Sequence, residues 1–380
     1  MHDDDDDQEH VERILDGTTW SEFCDRLKEA GEVILSDAAP KSAFDRAEGF
    51  RYLSRITRAA LQTFVEHNDP LAPVLQRVVH ETAKMGSDNP DNFYQNAAIS
   101  GAHRYRVWGN RGSVHYLSFG TQIGHYGQGA GMPPSGFIEA NEMRFGADGS
   151  FEMIISVERP DGAANWLPMK PETGTLIVRQ TRLDPKSERL AEIHIERIAS
   201  DGSSLAKDPS PVTPKSVDVG LTTSANLVFF AAHMFGAWAD GFRAHKNELP
   251  EFDRARSNMA GGDPNIVYYH SYWELGPDEA LVIDATPPEP LDHWNFQVNN
   301  HWMESLDFRY FRIHVNSKTA TYRDDGSVRI VVAHDDPGVP NWLTTVGHDR
   351  GTMCFRWVRA KQHPQPRCRV VKLADVASLS

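Results

Sequence analysis

Cysteine is scarce in this sequence. Cys24, Cys354 and Cys368 are the three present, they are odd in number, and no two have a CxxC spacing. A disulfide framework needs an even set, and a cysteine zinc site needs closely spaced pairs. The sequence therefore indicates neither, and a reducing cytoplasm is the expected location.

A basic excess is missing as well, with 39 Lys and Arg against 53 Asp and Glu and a net charge of −14. Proteins bind nucleic acids and anionic membranes through clustered basic residues, so neither is an expected partner. The most apolar stretch, LVFFAAHMFGAWA at 227–239, is too short to span a bilayer and predicts a buried helix. The first residues, MHDDDDDQEH, are acidic where a signal peptide would be basic, so no targeting segment is expected.

Familiar catalytic signatures are also absent. The sequence has no GxSxG elbow, its cysteines lie in no nucleophile motif, and no glycine-rich stretch ends like a P-loop. Serine or cysteine hydrolase chemistry and nucleotide binding are thus without support. No cofactor is predicted.

Two kinds of pattern divide the chain. Apolar residues follow a helical spacing at first and short β-type runs between Gly, Pro, Asp and Asn later. A length of 380 residues exceeds what one compact core usually reaches, which favours two domains or a duplication. The predicted regions are a disordered acidic tail (1–8), a helical region (9–90), a first β unit (91–200), a linker with a long central helix (201–262) and a second β unit (263–380).

An internal repeat joins the two β units. The tripeptide NWL occurs at 165–167 and at 341–343, and six identities share one register of 177 residues (326 − 149). Those pairs are Gly149/Gly326, Ser150/Ser327, Gly174/Gly351, Thr175/Thr352, Arg179/Arg356 and Arg182/Arg359. A weaker match upstream aligns Trp108 with Trp273. We predict one supersecondary unit used twice, in which each NWL asparagine bonds its own turn and each arginine forms an ion pair at the core edge, an anion site being the alternative.

Three stretches resemble proteins of the DUF1214 family, which often occurs beside DUF1254. They are NPDNFYQNAAISGAHRYRVWGNRGSVHYLSFG, WNFQVNNHWMESLDFRY and DGSVRIVVAHDDPGVPNWLTTVGHDRGTMCFRWVRA. The resemblance implies a bacterial soluble protein, mainly β with helical additions (α+β), built of duplicated jelly-roll-like antiparallel β-sandwich units. The amino-terminal helical region here stands where a separate DUF1254 domain would be. The resemblance implies no set of catalytic residues.

The densest polar cluster is WNFQVNNHWMESLDFRYFR at 294–312, where aromatic residues alternate with amides and charges as a ligand pocket requires. On a helical turn, His301 and Glu304 would share a face and relay protons. His334 and Asp335, just ahead of the second NWL, are a second acid/base pair because the first copy has no histidine there. Polar caps and turn chemistry are the alternative in both places. The predicted substrate-binding residues are Trp294, Asn295, Gln297, Asn299, Trp302, Arg309, Trp342 and Arg356.

One further pattern concerns metals. Glu192, His194 and Glu196 alternate on a strand and would bind a divalent metal or form a solvated face. Two functions remain open: an acid/base enzyme of lyase or hydrolase type acting on a small hydroxylated or carbonyl-bearing metabolite of a catabolic pathway, and a noncatalytic small-molecule-binding or accessory protein. A homo-oligomer is left open, since such sheets often expose faces that pair.

Overall fold

The computed structural model describes residues 2–124, 131–205 and 208–379. The helices in these ranges are α1 (His2–Leu15), α2 (Thr18–Leu35), α3 (Ala43–Leu61), which a π-turn (Gln62–Glu66) extends, α4 (Pro214–Phe242) and α5 (Arg254–Met259). Helix α1 thus includes most of the acidic run for which the sequence predicts a disordered tail. Residues 67–91 are irregular although a helical region to 90 is predicted, because Pro70 and Pro73 cannot continue a helix.

The strands form two successive groups of eight in the described chain. The first group is β1 (Asn92–Ala98), β2 (Arg104–Asn110), β3 (Tyr116–Ile123), β4 (Pro134–Glu139), β5 (Ser150–Ser156), β6 (Trp166–Pro168), β7 (Thr173–Thr181) and β8 (Glu192–Ile198). The second group is β9 (Ile266–Glu274), β10 (Glu279–Ala285), β11 (His293–Val298), β12 (His314–Asn316), β13 (Val328–Ala333), β14 (Trp342–Thr344), β15 (Arg350–Val358) and β16 (Arg367–Lys372).

The two groups have the same topology. The first makes sheets of order β1-β7-β3-β4 and β6-β5-β2-β8, and the second makes β12-β11-β15-β9 and β14-β13-β10-β16. Each strand of the first group therefore corresponds to the strand numbered eight higher, including the short parallel pairs β5-β6 and β13-β14. The predicted duplicated, mainly β fold with helical additions is confirmed. The weak match of Trp108 with Trp273 is wrong, because β2 corresponds to β10 and Trp273 lies on β9.

Each pair of sheets encloses its own apolar core. The first core takes residues such as Val107, Phe119 and Leu176 from both of its sheets, and the second takes Trp294, Phe355 and others in the same way. Alternate residues of a strand point to opposite sides, so one face of each sheet is available for other contacts. The β1-β7 and β9-β15 sheets direct those other faces toward residues outside the sandwich cores.

A third core joins the helices to the second β unit. Side chains of α2, α3 and α4 pack there against Tyr272, Trp302 and Met303. By length and composition, Pro214–His245 is the one described helical segment apolar enough to cross a membrane, but 56% of its most apolar window is buried inside the protein. Helix α4 is accordingly the buried core helix that its apolar run predicts.

The NWL repeat marks the same corner in both β units. Asn165 accepts a hydrogen bond from the backbone N–H of Arg144 (2.7 Å) and donates to the carbonyls of Arg144 (3.0 Å) and Glu152 (2.8 Å). Asn341 makes the same three bonds, to Thr321 N–H and C=O (2.8 Å each) and to the Arg329 carbonyl (2.9 Å). Each asparagine thus joins two other segments, rather than bonding its own turn as the sequence suggests.

The other two residues of the corner have fixed places too. Leu167 and Leu343 are fully buried in the cores. The indole N–H of Trp166 donates to Ser156 Oγ, and that of Trp342 donates to the Ala333 carbonyl, both at 3.1 Å. The repeated NWL tripeptide therefore has a structural role, as the same corner of both β units.

Asn341→Ala and Asn165→Ala should each lower the free energy of unfolding by about 2 kcal/mol, since each change leaves buried peptide groups without partners. Urea unfolding of the purified protein measures this loss. Asn68→Ala, at an exposed position, is the matched control and should change stability by less than about 0.5 kcal/mol. Equal, small effects at all three asparagines would contradict this account of the corner.

Candidate functional site

A cavity lies where the two β units meet the helices. Its volume is about 170 Å³, and it is bounded by strands of both units, by α4 and by two connecting segments. Its apolar side includes Phe64, Val79, Met85, Met132, Ile177, Leu227, Phe235, Trp238 and Ile266. Gly86, at φ 62°, brings the backbone so close to the Phe235 ring that a Cβ atom would lie 2.7 Å from it.

The polar side of the cavity is built from the repeat itself. Arg179 on β7 lies opposite Tyr94 on β1, and Arg356 on β15 lies opposite Tyr268 on β9. Strands β7 and β15 correspond to each other, as do β1 and β9, so the two Arg-Tyr pairs are equivalent. All four side chains line the same cavity.

Both arginines are buried, with 7% of Arg179 and 3% of Arg356 exposed. Within the described residues, neither guanidinium has a carboxylate at ion-pair distance, so the predicted core-edge ion pair is wrong for both. Burial opposes the charge of Arg179, but the more distant Asp263 and nearby tyrosines hold its pKa above the ordinary value. The cavity therefore contains two positive charges.

The two guanidinium groups are held differently. Arg179 donates to the carbonyl of Gly261. Arg356 donates to Asn295 Oδ1 (3.2 Å), to Gln297 Oε1 (2.6 Å) and to the Ser87 carbonyl, and it lies over the Tyr268 ring at 5.7 Å. Neutral acceptors orient Arg356 without cancelling its charge.

The two phenols offer hydrogen-bond donors to the cavity. Tyr94 Oη accepts from the backbone N–H of Asn89 (3.1 Å) and from Asn92 Nδ2 (3.2 Å), and Tyr268 Oη accepts from the N–H of Asp263 (3.3 Å). Burial raises the pKa of both tyrosines, so both hydroxyls keep their protons. Among the described residues no acceptor takes these protons, which leaves them for a bound molecule.

His270 is the imidazole of the cavity. Its ring is stacked between Tyr268 and Phe242, with centroids 5.6 and 5.5 Å away. Burial and the charge of Arg356 lower the pKa of His270 to about 3, so it is neutral at physiological pH. Its Nδ1 is buried and has no hydrogen-bond partner within the described residues.

The segment before β1 completes the site. Asp88 accepts from the backbone N–H (2.9 Å) and the hydroxyl (2.8 Å) of Ser305, and burial raises the pKa of this carboxyl. Asp91 accepts from Asn295 (2.9 Å) and Asn316 (2.8 Å), which ties this segment of the first unit to β11 and β12. The residues around the cavity are thus fixed by bonds between the two units.

Comparison with known proteins follows the same division of the chain. The family model described as "Protein of unknown function (DUF1214)" matches residues 133–185 and 278–362, one stretch in each β unit. The protein belongs to the DUF1214 family. The resemblance seen in its sequence is confirmed.

Two solved structures are similar to this DUF1214 protein over more than nine tenths of its chain. A crystal structure of an uncharacterized protein from Burkholderia cenocepacia has 48% identity and a TM-score of 0.92, covering 96% of this chain and 99% of that chain. A protein from Vibrio parahaemolyticus has 13% identity and a TM-score of 0.52, covering 91% and 100%, and shares the fold alone. No curated protein matches significantly.

Four of the predicted substrate-binding residues of this DUF1214 protein form one network beside the cavity. Arg356 lines the cavity directly, and Asn295 and Gln297 hold it. Asn299 accepts from Gln297 (2.6 Å) and donates to Ser87 Oγ (3.0 Å). Their roles toward a ligand remain predictions.

The aromatic residues predicted with them lie elsewhere. On β11, Asn295 and Gln297 alternate with Trp294, which therefore points into the second sandwich core and stacks on Phe355. Trp302 lies in the helical core, where its indole donates to the Asp45 carbonyl (3.0 Å). Trp342 is the corner residue described above, remote from the cavity lining.

His301 and Glu304 are both buried, Glu304 against α3 and His301 beside α2 and α4, and residues 300–305 form turns rather than the predicted helix. His301 Nδ1 is 3.0 Å from Tyr272 Oη, and burial lowers the pKa of His301 to about 3. Glu304 accepts from Arg55 (2.7 Å) and from Asn300 (2.9 Å). Both residues lie apart from the cavity that Arg179 and Arg356 line.

His334 and Asp335 lie in a third place. His334 Nδ1 is 2.8 Å from Thr345 Oγ1, beside a shallow depression on the second unit, and Asp335 is exposed without a bond to His334 in the described chain. Arg309 is a partly exposed residue paired with Asp307 at 2.7 Å. The two predicted acid/base pairs, His301 with Glu304 and His334 with Asp335, thus lie in different parts of the described structure.

The three predicted metal ligands on β8 take part in two separate ion pairs. His194 Nε2 is 3.0 Å from Glu192 Oε1 at the surface. Glu196 is buried and paired with Arg106. The three side chains therefore do not meet at one point.

Sequence reasoning missed Tyr94, Tyr268 and His270 as site residues. Tyr94 and Tyr268 are equivalent, but the two copies differ in length between this strand and β7 or β15, so the register of 177 does not align them. An alignment begun from strand order, with a shift of 174 (268 − 94), would have paired them.

Proposed function

We propose that the protein binds a small organic carboxylate with an apolar body in the cavity between its two β units. The observation that carries the proposal is the pair of equivalent buried arginines, Arg179 and Arg356, which line one cavity without carboxylate partners among the described residues. A buried charge is costly unless it is paired, and the planar guanidinium matches a carboxylate in two parallel hydrogen bonds.

Size and lining limit the ligand further. A cavity of about 150 Å³ lined by apolar residues holds a molecule such as benzene, and the cavity here is about 170 Å³. Phe235, Trp238 and Leu227 offer an apolar surface, while the Tyr94 and Tyr268 hydroxyls offer donors for a second oxygen. A ring or branched chain that carries one carboxylate and a hydroxyl or carbonyl oxygen fits both sides.

A second candidate is acid/base catalysis on that same class of molecule, of lyase or hydrolase type. His270 favours it, because a neutral imidazole with an unpartnered Nδ1 stands at the cavity. Chemical change of a bound ligand, lost in His270→Ala while binding persists, would support catalysis. Recovery of the ligand unchanged would favour the binding or accessory protein. His301 and His334 have no place in either form of this proposal.

A reducing bacterial cytoplasm is the proposed setting. Cys24, Cys354 and Cys368 are all free thiols, and Cys24 is exposed. The similar structure from Burkholderia cenocepacia comes from a bacterium.

The wild-type protein should be stabilised by benzoate, phenylacetate or 3-methylbutanoate and not by benzamide or benzyl alcohol at the same concentration. A ligand that binds only the folded state raises stability by about 2.7 kcal/mol at 100 times its Kd. Thermal unfolding measures the stabilisation, and titration calorimetry measures the affinity for each compound. Equal stabilisation by the uncharged analogues, or binding of none of these carboxylates, would contradict the proposal.

A further inference from the structure

We propose that His115, Asp292 and His293 form a site for a divalent transition metal such as Zn²⁺ at the junction of the two β units. His115 directly precedes β3, Asp292 directly precedes β11, and His293 is the first residue of β11. This site is separate from the cavity and does not depend on the proposed ligand.

The three residues come together because of the duplication. Strands β3 and β11 correspond, with Ser118 opposite Arg179 and Asn295 opposite Arg356. In that register His115 corresponds to Asp292. The two copies differ at this position, and the two positions face each other. His115 therefore supplies an imidazole and Asp292 a carboxylate, and the neighbouring His293 adds a second imidazole.

The distances agree with a metal site. Asp292 Oδ2 is 2.9 Å from His293 Nδ1 and 3.4 Å from His115 Nε2. The ligand atoms of all three residues lie within 4.8 Å of one another. In a tetrahedral site with bonds of about 2.0–2.2 Å, neighbouring ligand atoms are roughly 3.3 Å apart, so one ion fits among them with small adjustments.

The surroundings leave room for a further ligand. The His293 side chain is 2% exposed, whereas that of His115 is 34% exposed, so the site is fixed on one side and reachable from solvent on the other. Three protein ligands with an open position for water are the pattern of reactive zinc sites, whereas structural sites use four. Arg359 lies 4.0 Å from Asp292 Oδ1, which leaves Oδ2 for the metal.

The choice of metal follows from the ligand atoms. Two imidazole nitrogens and one carboxylate oxygen suit Zn²⁺ and its neighbours in the first transition row, whereas Mg²⁺ and Ca²⁺ prefer oxygen ligands alone. We therefore expect Co²⁺ to replace Zn²⁺ and to report the site by its absorption spectrum.

The test uses the full chain without an affinity tag, treated with chelator and dialysed. Titration calorimetry with Zn²⁺, and absorption with Co²⁺, should show one equivalent bound. His115→Gln and Asp292→Asn should each weaken binding at least tenfold. His194→Gln is the matched control, since His194 also lies beside a carboxylate at the surface. The Zn²⁺ affinity of this variant should equal that of the wild type.

The rival explanation is a hydrogen-bonded His-Asp-His bridge that only holds the two units together. It predicts that both variants lose stability in the metal-free protein while no metal binds to the wild type at micromolar concentrations. That result, or Zn²⁺ binding unchanged by both variants, would overturn the proposal. Circular dichroism and urea unfolding of His115→Gln, a partly exposed position, establish that a loss of binding is not a loss of fold.

Discussion

Arg356→Met and Arg179→Met should each weaken carboxylate binding roughly 100-fold, because a hydrogen bond to a charged group contributes about 1.5–3 kcal/mol and each arginine supplies more than one donor. Titration calorimetry with benzoate, or with whichever carboxylate binds best to the wild type, measures the change. The affinity for an uncharged analogue of the same shape should not fall in parallel. The loss should therefore be specific to charge.

Arg309→Met is the control for this pair. Arg309 is a partly exposed arginine paired with Asp307, and the sequence also predicts it as a binding residue. Its removal should leave the affinity unchanged. Arg179 is the cleaner of the two cavity variants, because Arg356 also bonds Asn295 and Gln297, which would lose a partner. Full binding by both cavity variants would exclude the arginines from the ligand site.

Arg55→Leu should lower the free energy of unfolding by about 3–5 kcal/mol at pH 7, since removal of one partner from a buried ion pair leaves the other charge uncompensated. Glu304, whose side chain is 1% exposed, accepts from Arg55 at 2.7 Å. The loss should be measured by urea unfolding. The double change Arg55→Leu with Glu304→Leu should recover most of it, because no unpaired charge then remains.

This loss should depend on pH. Burial raises the pKa of Glu304 above its ordinary value of 4.5, although Arg55 acts in the opposite direction. A carboxyl whose folded-state pKa is raised favours folding fully below the unfolded-state pKa and loses that contribution as pH rises through the folded-state value. Without Arg55 the folded-state pKa rises further, so Arg55→Leu should be more destabilising at pH 7 than at pH 5.

Arg51→Leu provides the comparison on the same helix. Arg51 pairs with Glu48 at 2.9 Å, and its side chain is 49% exposed. The Glu48 side chain is 16% exposed, but the Arg51 end of the pair is half in water, so we expect the change to cost less than about 1 kcal/mol at either pH. A loss in Arg55→Leu that is the same at pH 5 and pH 7 would show that packing, and not the charge of Glu304, causes it.

Much of the fold could be predicted from sequence because its signals are local or repeated. Turn residues between short apolar runs indicate the strands, the apolar run at 227–239 indicates α4, and the identities around NWL indicate the duplication. The predicted helical region reaches too far along the chain because the spacing of apolar residues continues past Pro70 and Pro73, where the backbone cannot remain helical.

The candidate site could be predicted only in part. Asn295 and Gln297 lie in the polar cluster at 294–312, and Arg356, on the adjacent strand, is one of the repeat identities. Tyr94 and Arg179 come from the other unit, and no local pattern states which faces of two sandwiches will meet. His301 and His334 have only their residue type in common, because tertiary packing places His301 against Tyr272 and His334 beside Thr345.

The equal topology of the two β units bears on how the proposed ligand site can evolve. Two identical subunits could offer only a site with two identical halves. In a single chain each half mutates alone, and here Arg356 has gained a cradle of two amides at Asn295 and Gln297, where the first unit has Ser118 and Gly120. At the proposed site, a ligand whose two ends differ should therefore bind in one orientation and not equally in both.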